Sequence, residues 1–190
     1  MEILFYLSSA FLILFMILAT YDGFYLHIWK YELFNKKESA FEHKTHTIRA
    51  ILFPLIIWFL FIDTENSLSF YIGLSLVLID LITLGLDAYS EKDSREFMNG
   101  LPKWEYIIHL FSNSFHFAAI VLIIAVRLTI NEGVLSFTTA LPNSFAKDML
   151  QFIAVNIIPG SVVLALIHLI VIYPKGKLFW NTNRLKITCC

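Results

Sequence analysis

Three observations predict an all-α integral membrane protein, a bundle of five transmembrane helices with its N-terminus outside and its C-terminus cytoplasmic. First, 58% of the 190 residues are apolar, only 15% are charged, and the mean hydropathy is +0.71. Soluble domains run at about 45–50% apolar and about 25% charged. Second, the apolar residues are gathered into five long runs. Third, twelve of the 14 Lys and Arg residues fall on one alternating set of connections. This composition excludes a soluble enzyme and a disordered tail, and a net charge of −1 excludes a basic nucleic-acid binder.

The helices follow in order. Nineteen residues, Ile3 to Tyr21, carry no charge, and a span needs about 20 apolar residues, which predicts a first helix over 3–22. A cleaved signal peptide would show a positive start and a small-residue cleavage site. Glu2 is the only early charge and no such site precedes Asp22, so a retained span is expected. Thirteen uncharged residues separate Arg49 from Asp63; extended back to Thr45, they predict a second helix over 45–63, kinked at Pro54. Fourteen separate Glu65 from Asp80. They make a full helix over 68–88 only if Asp80 and Asp87 lie inside the bundle. Twenty-one between Glu105 and Arg127 predict 105–127, and twenty-six between Asp148 and Lys175 predict 149–173, with Pro159-Gly160 as a second kink. Segments 23–44 and 89–104 are then cytoplasmic loops and 174–190 a cytoplasmic tail. No long linker, internal repeat or low-complexity tract divides the single domain.

Orientation follows from the positive-inside rule. Lys30, Lys36, Lys37, Lys44 and Arg49 flank the first loop, Lys92, Arg95 and Lys103 the third, and Lys175, Lys177, Arg184 and Lys186 the tail. Only Arg127 and Lys147 flank the opposite side. Cys189 and Cys190 end the chain. In a reducing compartment they are free thiols rather than a disulfide, and a terminal Cys-Cys pair is compatible with lipidation.

Ionisable side chains within a span cost about 2.5–3.5 kcal/mol each on insertion scales, so they tend to be paired or functional. In this orientation all six histidines fall in the cytoplasmic half. Glu105, His109, Ser112 and His116 recur at +4, +3 and +4, on one helix face with Asn113 at its edge. Asp80 and Asp87, seven apart, share a face that Glu91 continues if the helix persists. Glu42 and His46 are four apart, and Asp22 and His27 end the first helix. Carboxylate and imidazole at such spacings build metal sites inside helical bundles. The candidate ligands are Asp22, His27, Glu42, His46, Asp80, Asp87, Glu105, His109 and His116, with His43, His168 and Asn113 as weaker candidates. Glu105 and Asp87 are the expected catalytic carboxylates. His43 beside Lys44 also suits an interfacial position, and the run from Glu91 to Glu96 reads as a solvated loop.

These residues predict a membrane metalloenzyme acting on a lipid or other apolar substrate, with a dinuclear site. Imidazole and carboxylate suit iron or zinc. Two irons would support oxygenase or hydroxylase chemistry and require a redox donor; zinc would support hydrolysis through a metal-bound water. Arg49, Arg95 and Lys103 are candidates to hold a substrate headgroup. One alternative is a b-type haem electron carrier, with His46 or His168 facing His109. Another is a proton or ion carrier using Asp80, Asp87 and His116. No phosphate-binding Gly-rich loop, nucleophile elbow or dinucleotide fingerprint is present.

Overall fold

The computed structural model describes residues 2–131, 134–138 and 141–188, so Cys189 and Cys190 lie outside the described residues. Five helices are long and apolar enough to cross a membrane. Helix α1 (Glu2–Ala19) continues as a π-helix over Thr20–Lys30. Helix α2 (Ala40–Ile57) passes Pro54 and widens into a second π-helical stretch, Trp58–Ile62. Helices α3 (Ser67–Ser94), α4 (Lys103–Arg127) and α5 (Phe145–Ile170) follow, α5 running on through Pro159.

The number of long helices agrees with the apolar runs; several boundaries do not. Residues 23–30 are helix rather than loop, and α2 begins at Ala40 rather than near 45. Helix α3 persists to Ser94, because the charged residues at its end find partners inside the bundle. The segment expected as a tail forms α6 (Pro174–Thr188). It docks on the 31–36 connection, where Lys177 donates to the Phe34 carbonyl and Asn35 Nδ2 donates to Asn181 Oδ1 at 3.2 Å. An all-helical chain was expected, but β1 (Leu128–Asn131) and β2 (Val134–Phe137) form an antiparallel hairpin after α4. Both strands draw on β-branched and large apolar residues, a composition that suits strands.

Helix starts have local causes. Asn66 Oδ1 accepts from Leu68 N at 2.9 Å, and Ser144 Oγ accepts from Lys147 N at 3.2 Å, satisfying backbone donors left open at a helix N-terminus. Ser39 Oγ instead donates to the Ser94 carbonyl at 2.7 Å, tying the start of α2 to the end of α3. The α3–α4 connection turns through Asn99 and Gly100, the latter at φ 105°, a conformation only glycine adopts easily.

Around the bundle α4 packs on α1, α1 on α5, α5 on α2 and α2 on α3. The apolar core fills the half nearer the hairpin, with Phe5, Leu12, Ile56, Ile57, Leu60, Ile120 and Ile123 buried within it. At Gly73 a Cβ would meet Leu60 at 2.4 Å, so α3 approaches the end of α2 closely only because this residue has no side chain. The outward faces carry exposed Leu78, Ile82, Val121 and Phe152. So large an apolar exterior marks a surface covered by something other than water.

Candidate metal centre

The opposite half of the bundle is polar inside. Asp22 and His27 come from the end of α1, Glu42 and His46 from the start of α2, Asp87 and Glu91 from the end of α3, and Glu105 and His109 from the start of α4. The π-helix brings the first two together. In an α-helix residues five apart diverge, but i→i+5 hydrogen bonding stacks them, and Asp22 Oδ1 lies 3.4 Å from His27 Nε2.

Two groups of potential ligand atoms result. Asp22, His27, Glu105 and His109 form one, and His27, Glu42 and His46 the other; within each, the atoms all lie within 4.8 Å of one another. His27 is fully buried, with its Nε2 3.9 Å from Glu42 Oε1 and 4.0 Å from Glu105 Oε1. His46 Nε2 is 3.7 Å from the same Glu42 oxygen. These separations are too long for hydrogen bonds and suit oxygen and nitrogen atoms arranged around an ion about 2.0–2.2 Å from each. Among the described residues, Glu42 Oε1 and Glu105 Oε2 are buried without a hydrogen-bond partner. The remaining contacts orient the donors. His109 Nε2 is 2.9 Å from Asp22 Oδ1 while its Nδ1 bonds Glu91, and His46 Nε2 is 3.1 Å from Asp87 Oδ2. Thr45 Oγ1 donates to Asp87 Oδ1 at 2.5 Å.

Arg95 closes the back of this cluster. Its Nη1 donates to Glu42 Oε2 at 2.6 Å and its Nη2 to Glu105 Oε1 at 2.6 Å, all three side chains being fully buried. Nη2 also lies 3.2 Å from His27 Nε2. Burial opposes the guanidinium charge, but the two carboxylates outweigh it and hold its pKa above the ordinary arginine value. Glu42 and Glu105 sit in the first turns of α2 and α4, where the helix dipole favours an anion. Glu91 sits in the last turn of α3, where the dipole favours a cation, and its bond to His109 offsets this.

In front of the cluster is a cavity of about 440 Å³. Its walls are mostly carbon, from Phe15, Met16, Phe53, Leu84, Leu110 and Leu164, and Asp22, His46, Asp87, Glu91 and His109 reach it from the cluster. Its floor is a second network, linked to the first where Arg49 Nη1 lies 3.9 Å from Asp87 Oδ2. Arg49 Nε donates to Asp80 Oδ1 at 3.1 Å and Arg49 Nη2 to Asn113 Oδ1 at 2.8 Å, while His116 Nε2 lies 3.3 Å from Asp80 Oδ2. Beside this network Phe15, Phe53 and Phe117, which also line the cavity, surround the His116 ring at centroid distances of 4.6, 5.6 and 5.0 Å. This aromatic layer ends the polar region.

Six of the nine residues expected as ligands thus converge, and Asp87 stands against His46. Asp80 and His116 lie apart, in the floor network, with Asn113 beside Arg49 rather than beside a ligand. Arg95, expected near a headgroup, is buried among carboxylates, and Glu91, read as part of a solvated run, bonds a histidine. Helical spacing from Asp80 and Asp87 already pointed to Glu91. Arg95 left no such signal, because its partners come from other helices. Lys103 is exposed at the start of α4. His43, expected at the interface, is buried; it stacks on His168 at 5.3 Å, and its Nε2 lies 3.2 Å from the His168 carbonyl oxygen.

Comparison of the chain with known family models, characterised proteins and solved structures finds no match, so the functional argument rests on this centre.

Proposed function

We propose that the chain is an integral membrane metalloenzyme. It holds two neighbouring divalent ions between α1, α2, α3 and α4 and acts on an apolar substrate in the adjoining cavity. The observation that carries this is a charge imbalance in an enclosed site. Asp22, Glu42, Asp80, Asp87, Glu91 and Glu105 present six carboxylates to the cluster and cavity, and Arg49 and Arg95 present two guanidiniums. With the histidines neutral, as ligation requires, four negative charges are left over, the charge that two divalent ions neutralise. Buried charge without a counter-ion is strongly disfavoured. His27, His46 and His109 supply the nitrogen donors; the two ligand groups adjoin at His27, which would bind one of the ions, and this adjacency supports two ions side by side. His27, Glu42 and Glu105 lie behind the cavity while Asp22, His46 and His109 reach its wall. Each ion would therefore turn an open position toward a substrate. Glu91 and Asp87 are the carboxylates best placed to move a proton there.

This donor set suits iron for oxygen-dependent chemistry or zinc for hydrolysis. The ring arrangement favours neither alternative function. Axial haem ligation needs imidazoles end-on across a planar slot, whereas His43 and His168 stack face to face and His27 lies 4.1 Å from His46. A carrier needs a path through the protein, and the polar region stops at the Phe15–Phe53 layer.

Elemental analysis and an absorption spectrum of the detergent-purified protein test the proposal. About two transition-metal ions per chain without a Soret band are expected, iron indicating oxygenase chemistry and zinc hydrolysis. A Soret band, or no metal, overturns it. The positive-inside count supports a centre at the cytoplasmic face. A reporter fused after Cys190 should therefore read cytoplasmic, and an external signal would reverse the orientation.

A further inference from the structure

A substrate must cross protein or lipid to reach this centre, and the helix order leaves one way in. Four edges of the five-helix ring are packed. The fifth, between α3 and α4, is not: these consecutive helices touch at most at isolated points, and the His109–Glu91 and His116–Asp80 pairs bridge them from the inside. The cavity reaches the surface along this seam. Leu84 and Ala88 of α3 and Tyr106, Leu110 and Ser114 of α4 all line it. Ala88, Tyr106, Leu110 and Ser114 are exposed and Leu84 is half-buried. The surface flanking the seam is apolar, with Leu81, Ile82, Ile107 and Phe111 all exposed. In a membrane-spanning chain that surface meets hydrocarbon, so the opening faces lipid tails.

We infer that the α3–α4 seam is a lateral portal. The substrate is a membrane lipid that passes one hydrocarbon chain through it, with its headgroup-proximal carbons against the His/carboxylate centre. This rests on the proposed metal function and names the substrate class. The largely carbon wall fits a hydrocarbon chain. At ~30 Å³ per small group, the cavity volume accommodates on the order of a dozen methylene-sized units. Depth decides which carbons meet the centre. His109 is six residues into α4, about 9 Å from its start at 1.5 Å per residue, in a hydrocarbon layer about 30 Å thick. A lipid with its headgroup at the interface therefore brings its first few carbons to His109 and Asp22. Carbons further along the chain lie toward Phe15 and Phe53.

The full chain, reconstituted in phosphatidylcholine vesicles doped with phosphatidylcholine bearing an acyl-chain diazirine, tests this. Irradiation and mass spectrometry should find label on Phe15 and Phe53, which are buried on the cavity wall, as well as on exposed Phe152. Ala88→Trp and Ser114→Trp fill the seam and should abolish the interior label while leaving that on Phe152. Unlabelled Phe15 and Phe53 in the wild type, or interior label retained in both variants, overturns the portal. Metal content measured on the same samples separates the two proposals. Metal with an unlabelled interior removes the portal alone. Interior label without metal removes the metalloenzyme and leaves a lipid-binding cavity.

Discussion

His27→Ala is expected to cut the metal content of the purified protein from about two ions per chain to one or none. His27 is the residue shared by both ligand groups and has no exposed surface. Its removal takes the only nitrogen donor that α1 contributes, and it opens a void between Asp22, Glu42 and Glu105 where carboxylates are already in excess. Changing a residue that merely hydrogen-bonds a ligand costs roughly 10–100-fold in metal affinity, so loss of a ligand should exceed that range. Asp22→Asn serves as a near-isosteric second variant. It keeps the volume, removes one charge, and should also lower metal content if the protein fails to fold without the His27 ring. His43→Ala is the control, since His43 belongs to neither ligand group and its Nε2 faces the His168 carbonyl. Full metal in both His27→Ala and Asp22→Asn would refute the centre as drawn.

The second large effect is on stability. Arg95→Leu is expected to destabilise the protein by about 3–5 kcal/mol, the range for removing one partner of a buried ion pair. It leaves Glu42 and Glu105, both fully buried, without their shared guanidinium. Arg95→Lys should recover only part of the loss, because a point-charge ammonium cannot reproduce the forked donation to two carboxylates. Thermal unfolding in detergent, with and without added metal, reads this out. Metal should narrow the gap between Arg95→Leu and wild type, because bound cations stabilise the folded form by mass action. A wild-type melting temperature for Arg95→Leu would mean that the triad contributes nothing to the fold.

What was legible in the sequence is what repeats along a single helix. Three apolar runs long enough to span hydrocarbon, and two shorter ones extended past charged residues, marked the five long helices. The +4, +3, +4 spacing placed Glu105, His109, Ser112 and His116 on one face of α4. Both follow from local geometry, since a run and a period are properties of one segment. Three features escaped that logic, each for a physical reason. Asp22 and His27 are five apart and diverge on an α-helix; only the π-helical turn of Thr20–Lys30 aligns them, and tertiary packing selects that turn. The run from Glu91 to Glu96 has the composition of a solvated loop. Glu91 and Arg95 enter the interior because His109, Glu42 and Glu105 neutralise them from other helices. His43 lies beside Lys44 as an interfacial residue would, yet the stacking partner that buries it, His168, is 125 residues away.

The same limit separates ligands from neighbours. Asp80 and His116 have the depth and helix face of a metal site, and periodicity cannot distinguish them from Asp22 and His109. The distinction lies in relative rotation and depth across helix interfaces, which side-chain packing sets and no single segment encodes. The sequence by itself determined that the chain forms five membrane-length helices with its histidines and most of its acids gathered at one end, because hydrophobic length and helical period are local. Only the tertiary structure decided which of those acids meet which histidines, and that α3 and α4 stay apart, because those depend on long-range contacts between helices.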